Sequence, residues 1–213
     1  MEKKSLGNNI LSHHQLKTSV SFLSKLDKDW ESLIKKVGAC HLKTSSELSP
    51  YESLLKTIAY QQLHIKAAET IFQRFLSQFN GRFPEAHKLL ELDSSLIRAS
   101  GFSQIKTETL YRIAEAAINK IIPDKNEIIH LSDNEIIKRL SSIKGVGVWT
   151  AQMILIFNLG RLDVLPTHDL GVQKGYQALK KLEALPKPRE LFLIGELWKP
   201  YRTIASWYLW RAH

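Results

Sequence analysis

Hydrophobic positions along this chain recur with a period near that of the α-helix, and alternation of period two is scarce. Ile65, Ala68, Phe72, Phe75 and Phe79 step by three or four and line one helical face. That run is predicted to start at Ser49-Pro50-Tyr51-Glu52, which carries a Ser cap, Pro at the first helical position and Glu three residues after the cap. Asn80-Gly81 stops it. A shorter helix is predicted over Leu89 to Ala99, ending near Gly101, and another over Thr107 to Ile122, closed by Pro123. Ser132-Asp133-Asn134-Glu135 is a second capping box and opens a helix through Leu140. Ala151 to Leu159 is apolar nearly all round, which predicts a buried helix. Asp169 to Lys181, Pro188 to Leu197 and Pro200 to Arg211 complete the set. Asp163 to Leu165 is the strand-like exception, and residues 1–20 are weakly patterned and expected to be partly disordered. The pattern predicts an all-α protein of about ten helices.

Length and composition narrow the class. The chain has 213 residues, 44% of them hydrophobic and 24% charged, ordinary values for a globular protein and wrong for disorder or low complexity. Its single cysteine, Cys40, rules out an internal disulfide, a cysteine zinc site and a four-cysteine iron–sulfur cluster. No apolar run approaches the ~18 residues of a membrane span, and the N-terminus lacks a secretion signal. These features predict a reducing, intracellular setting: cytoplasm for a bacterial protein, nucleus for a eukaryotic one. Thirty Lys and Arg against 21 Asp and Glu give a formal charge of +9, which points to a polyanionic partner or to a merely solubilising surface.

The most informative stretch is Gly145-Val-Gly-Val-Trp-Thr-Ala151, which reads as a tight turn between two helices. Gly145 and Gly147 are expected to supply positive φ, leaving bare backbone N–H groups at the start of the second helix beside Lys144. Such groups suit a phosphate, though an ordinary helix–helix turn would look the same. Farther on, Val164-Leu-Pro-Thr-His-Asp-Leu-Gly-Val172 bends at Pro166 and sets Asp169 at a helix start. That aspartate is either an N-cap or a catalytic carboxylate.

Taken together, the hairpin, the Pro and the Asp resemble the helix-hairpin-helix superfamily of DNA glycosylases. Tyr60-Gln-Gln-Leu-His-Ile-Lys-Ala-Ala68 and Trp198-Lys-Pro-Tyr-Arg-Thr-Ile-Ala-Ser-Trp-Tyr-Leu-Trp210 are similar to segments of its 3-methyladenine DNA glycosylase II group, with Arg98-Ala-Ser-Gly-Phe-Ser-Gln-Ile-Lys106 falling between them. The resemblance runs over roughly residues 45 to 213. It implies two helical lobes with a cleft between them, in the compact all-α form. The division it suggests is an N-terminal extension over 1–45, partly helical, and a glycosylase domain of two interleaved subdomains over 46–213.

The resemblance assigns catalysis to Asp169, the one carboxylate between Val164 and Tyr176, where relatives often carry two acids and this chain has His168-Asp169. Strand-cleaving members carry a nucleophilic Lys two residues after the second hairpin glycine; Trp149 stands there, which implies glycosidic hydrolysis without a lyase step. Trp149 and Trp210 match aromatic walls of the base pocket, joined by Tyr60, with Leu170 and Met153 where some relatives have aromatics. Lys144, Gly145, Val146, Gly147 and Thr150 form the expected DNA-binding hairpin, and Gln62, Leu63 and His64 match a turn that enters the minor groove. The implied substrate is double-stranded DNA bearing 3-methyladenine or 7-methylguanine, taken by a monomer that requires no cofactor and has no side-chain metal site. The resemblance also allows a structural Na⁺ or K⁺ on hairpin carbonyls. Two alternatives stay open: a helix-hairpin-helix protein that only binds DNA, and a glycosylase for another lesion. A third, a helical adaptor whose charge is incidental, would lack salt-dependent DNA affinity.

Overall fold

The computed structural model describes residues 11–212 and contains thirteen α-helices and no strand among them. The helices sort into two compact units, one holding the described residues up to Ser46 together with those from Leu155 onward, the other Glu47–Ile154.

The first unit begins where weak patterning predicted partial disorder. Helix α1 (His13–Ser24) is closed by a Ser12–Gln15 capping box and buries Leu16, Ser19 and Leu23. Helix α2 (Lys28–Val37) starts on an Asp27 cap and buries Trp30 to 1% exposure. The Trp30 ring meets Trp198 edge-on at 5.4 Å, and the Tyr208 hydroxyl donates to Gly38 O at 2.8 Å. These two helices are therefore part of the core of this unit. The remainder is α11 (Leu170–Lys180), α12 (Pro188–Gly195) and α13 (Arg202–Leu209). Lys180, in the last turn of α11, reaches both Asp27 and Asp29 at 2.7 Å. Trp198 and Trp207 are core residues, at 2% and 5% exposure. The first ten residues lie outside the described part of the chain.

The second unit holds α3 (Pro50–Tyr60), α4 (Ile65–Ser77), α5 (Ala86–Glu91), α6 (Ser94–Ala99), α7 (Gln104–Ile118), α8 (Lys125–Ile128), α9 (Asp133–Ser141) and α10 (Val148–Met153). The apolar stripe of α4 packs from Ala68 onward, with Phe75 6.0 Å from Phe72, 5.4 Å from Phe79 and 5.5 Å from Phe102, whereas Ile65, expected on the same face, is 73% exposed. Two continuous helices expected from the sequence are broken. The run from Pro50 stops at Gln61, because Gln62 turns left-handed at φ 55° and His64 caps a new helix. The run from Leu89 breaks at Asp93, whose side chain accepts from Ser95 N at 2.7 Å and starts α6. The apolar stretch after the hairpin is α10 followed by a π-helical turn, Ile154–Asn158. The strand-like Asp163 to Leu165 pairs with no strand; Val164 N donates to the Thr203 hydroxyl at 3.0 Å instead.

Candidate active site

In the first unit the chain before α11 is tightly turned. Thr167 N donates to Leu165 O and Asp169 N to Pro166 O, both at 3.0 Å, and the Gln173 amide reaches back to Thr167 O at 2.8 Å. Asp169 is the N-cap of α11: its Oδ1 accepts from Val172 N at 2.9 Å. The same oxygen accepts from the indole Nε1 of Trp210, also at 2.9 Å. An ordinary cap needs only the first of these bonds. The second fixes the plane of a half-buried carboxylate from another helix, which is the kind of restraint a reacting group requires.

Two glycines on one face of α11 make this approach geometrically available. At Gly175 a Cβ would lie 2.0 Å from Leu209 O, so only glycine lets the α13 backbone come this close. At Gly171 a Cβ would sit 2.9 Å from Trp210 Cδ1 and 3.0 Å from Asp169 Oδ1. The indole also stacks on Phe157, with centroids 5.8 Å apart and planes 22° from parallel. Arg202, at the start of α13, grips Asp163 through Nε at 2.7 Å and Nη2 at 2.9 Å, and donates to its carbonyl at 3.0 Å. That clamp anchors the segment leading to Asp169. Leu170 is 53% exposed beside the carboxylate, and His168 is exposed. Sequence reasoning missed Gly171, Gly175, Phe157 and the Arg202 clamp. The available signal was the four-residue spacing of the two glycines, which places them on one helical face.

In the second unit, α9 and α10 form the hairpin. Gly145 takes φ 99°, and a Cβ there would meet the Thr109 hydroxyl of α7 at 2.3 Å. Gly147 does not share this conformation: it caps α10 at φ −86° with open space around it, so the expectation of two positive-φ glycines holds for Gly145 alone. Lys144, Gly145 and Gly147 are exposed. Val146 and Thr150 are not, at 3% and 2% exposure, because both close the hairpin core; contact with a ligand from either is restricted to the main chain. The Thr150 hydroxyl accepts from the Gln61 amide at 2.8 Å.

The turn after α3 puts Gln62, Leu63 and His64 in solvent, with Leu63 40% and Ile65 73% exposed. His64 Nδ1 accepts from Lys66 N at 3.4 Å. Trp149 is half-buried and Met153 is 7% exposed. The Tyr60 hydroxyl donates to Glu69, and burial together with that carboxylate pushes its pKa up to about 12. No cluster of His, Cys, Asp or Glu suited to a metal exists among the described residues, and none of their helices is long and apolar enough to cross a membrane.

Comparison with known proteins gives a consistent answer. Residues 55–200 match the family model of the HhH-GPD superfamily of base excision DNA repair proteins. The chain is 45% identical over 192 residues to DNA-3-methyladenine glycosylase 1 of Schizosaccharomyces pombe, covering 89% of this chain and 84% of that one. It is 40% identical to the alkylbase DNA glycosidase-like protein mag2 of the same yeast, covering 92% of each. Its fold matches the S. pombe 3-methyladenine DNA glycosylase solved in complex with abasic DNA, with a TM-score of 0.86, 43% identity, and 91% and 95% of the two chains covered. A DNA-3-methyladenine glycosidase of Bacillus halodurans matches with a TM-score of 0.79 at 32% identity, over 91% and 88% of the two chains.

Proposed function

The chain belongs to the HhH-GPD superfamily of base excision DNA repair proteins, and from that premise we propose the following assignment of roles. It is a DNA glycosylase of the 3-methyladenine type: it binds double-stranded DNA and hydrolyses the N-glycosidic bond of alkylated purines, starting base excision repair. The observation that carries the mechanism is the Asp169 carboxylate held through one oxygen by Val172 N and Trp210 Nε1, each at 2.9 Å.

The target base lies inside a stacked duplex and must be extruded, at a cost of a few kcal/mol that damage reduces. Lys144 and the exposed main chain of Gly145 and Gly147 are assigned to the DNA backbone. The exposed turn Gln62, Leu63 and His64 is assigned to the minor groove, where it fills the gap left by the base. A purine alkylated at N3 or N7 carries positive charge, and an indole face attracts a desolvated cation by about 2 kcal/mol or more. Trp149 is assigned to that contact. Trp210, also expected as a pocket wall, in addition holds Asp169 through its N–H. The phenol of Tyr60, tied to Glu69, is assigned to the pocket as a neutral ring.

A glycoside hydrolase normally needs an acid for the leaving group and a second carboxylate. A cationic base leaves without protonation, so one carboxylate suffices. Asp169 stabilises the positive charge that develops on the sugar and orients the attacking water. Trp149 occupies the position of the lyase lysine, so no Schiff base forms and the strand stays intact. Main-chain carbonyls of the hairpin turn are hard ligands of the kind that would hold a structural Na⁺ or K⁺. The enzyme acts as a monomer wherever the genome is housed, the cytoplasm of a bacterium or the nucleus of a eukaryote.

Base release from DNA carrying 3-methyladenine and 7-methylguanine tests the assignment, with wild type and Asp169→Asn compared before and after alkali. Asn preserves volume and remains a good N-cap. We expect release by wild type, strand breaks only after alkali, and a loss of about 3–4 kcal/mol of transition-state stabilisation in the variant. Equal turnover by the two proteins would remove Asp169 from the chemistry.

A further inference from the structure

One cation closes the end of α3 and the turn that follows. Lys106, in the first turn of α7, donates from Nζ to Ala59 O at 3.0 Å and to Gln61 O at 2.7 Å. The last carbonyls of a helix lack intrahelical donors, and an ammonium there also meets the negative end of the helix dipole. The site is half-buried, and desolvation pushes the lysine pKa down. A charge kept in such a place needs good partners, and these two carbonyls supply them.

The same residue is part of a larger brace. The Gln61 side chain donates to the buried Thr150 hydroxyl of α10 at 2.8 Å. Thr109 lies three residues after Lys106 on α7, hence on the same face, and packs so closely on Gly145 that no side chain fits there. The start of α7 thus holds both the hairpin and the Gln61 corner. Immediately beyond that corner Gln62 adopts φ 55°, a conformation that costs a non-glycine residue about 1 kcal/mol or more. After it come Leu63 and Ile65, apolar residues left 40% and 73% exposed.

We propose that Lys106 is a positioning residue for base extrusion. It fixes the turn from Gln62 to Ile65 against the hairpin, so that the turn enters the minor groove as a rigid wedge, and it takes no part in bond cleavage. The inference rests on the reading above that this turn meets DNA. A wedge has to transmit the few kcal/mol needed to unstack a base. A turn with loose carbonyls would bend under that load.

The test is single-turnover release of 7-methylguanine from two substrates, one with the lesion paired in duplex and one with it in a single strand, where no extrusion is needed. Lys106→Met is expected to slow release from the duplex about 100-fold, the scale of an ångström-level misplacement, and to leave the single-strand rate nearly unchanged. Gln61→Ala, which cuts the tie to Thr150, is expected to give a smaller loss with the same selectivity. It decides the question alone if the Lys106 variant does not fold. Equal losses on both substrates, or no loss on the duplex, would overturn the proposal. Wild-type protein that releases the base from neither substrate would overturn the glycosylase reading itself.

Discussion

Replacing Gly175 by alanine tests how the site is built. The added Cβ would lie 2.0 Å from Leu209 O, 2.5 Å from its carbonyl carbon and 2.8 Å from its Cα. Close carbon–oxygen contacts settle at about 3.3 Å or more. Subtracting 2.0 Å from that gives a required separation of α11 and α13 of about 1.3 Å. Every obstructing atom is main chain, so no rotamer change relieves the clash. Overpacking of this kind costs about 1–3 kcal/mol. Alanine recovers up to about 1 kcal/mol of helix propensity over glycine, which leaves a net destabilisation of about 0–2 kcal/mol. Propensity acting alone would stabilise the protein, so the sign of the change discriminates. The same separation draws Trp210, the residue after Leu209, away from Asp169, and the base-release rate should fall on the order of 100-fold. Urea unfolding gives the stability and single-turnover release gives the rate. A Gly175→Ala protein with wild-type stability and rate would refute the idea that backbone contact at this crossing sets the catalytic geometry.

Other consequences follow from the packing. Trp30→Ala empties a core position that is 1% exposed and should destabilise the protein by about 3–5 kcal/mol in chemical denaturation; a loss under ~1 kcal/mol would mean that α2 is dispensable. Arg202→Met should cost about 1.5–3 kcal/mol through lost charge-assisted hydrogen bonds, and Asp163→Leu combined with it should cost less than the sum of the singles; strict additivity would show that the clamp carries no coupling. Burial raises the Cys40 thiol to about 11. Native protein at pH 8 should therefore resist a thiol reagent until it unfolds, and rapid labelling would contradict the burial. The folded pKa lies above the unfolded one, so this thiol contributes stability that is whole below the unfolded value and declines as pH rises toward the folded one.

The two kinds of information divide along physical lines. The helix starts at Ser49 and Ser132 were legible because both partners of each capping box lie within one turn. The apolar stripe of α4, the hairpin and the candidacy of Asp169 were legible for the same reason, being patterns of composition at short spacing. The breaks at Gln62 and Asp93 were not, because a single residue's backbone conformation outweighed a continuous periodicity. Residues 1–45 were expected only to be partly helical; that α1 and α2 belong to the core rests on Trp198, Tyr208 and Lys180, which lie more than 150 residues away along the chain. Local spacing therefore determined which residues bear the chemistry. The geometry that restrains them was decided only by tertiary structure. The backbone crossing at Gly175, the Trp210 bond to Asp169 and the Lys106 brace each join atoms that approach one another only after the helices have packed.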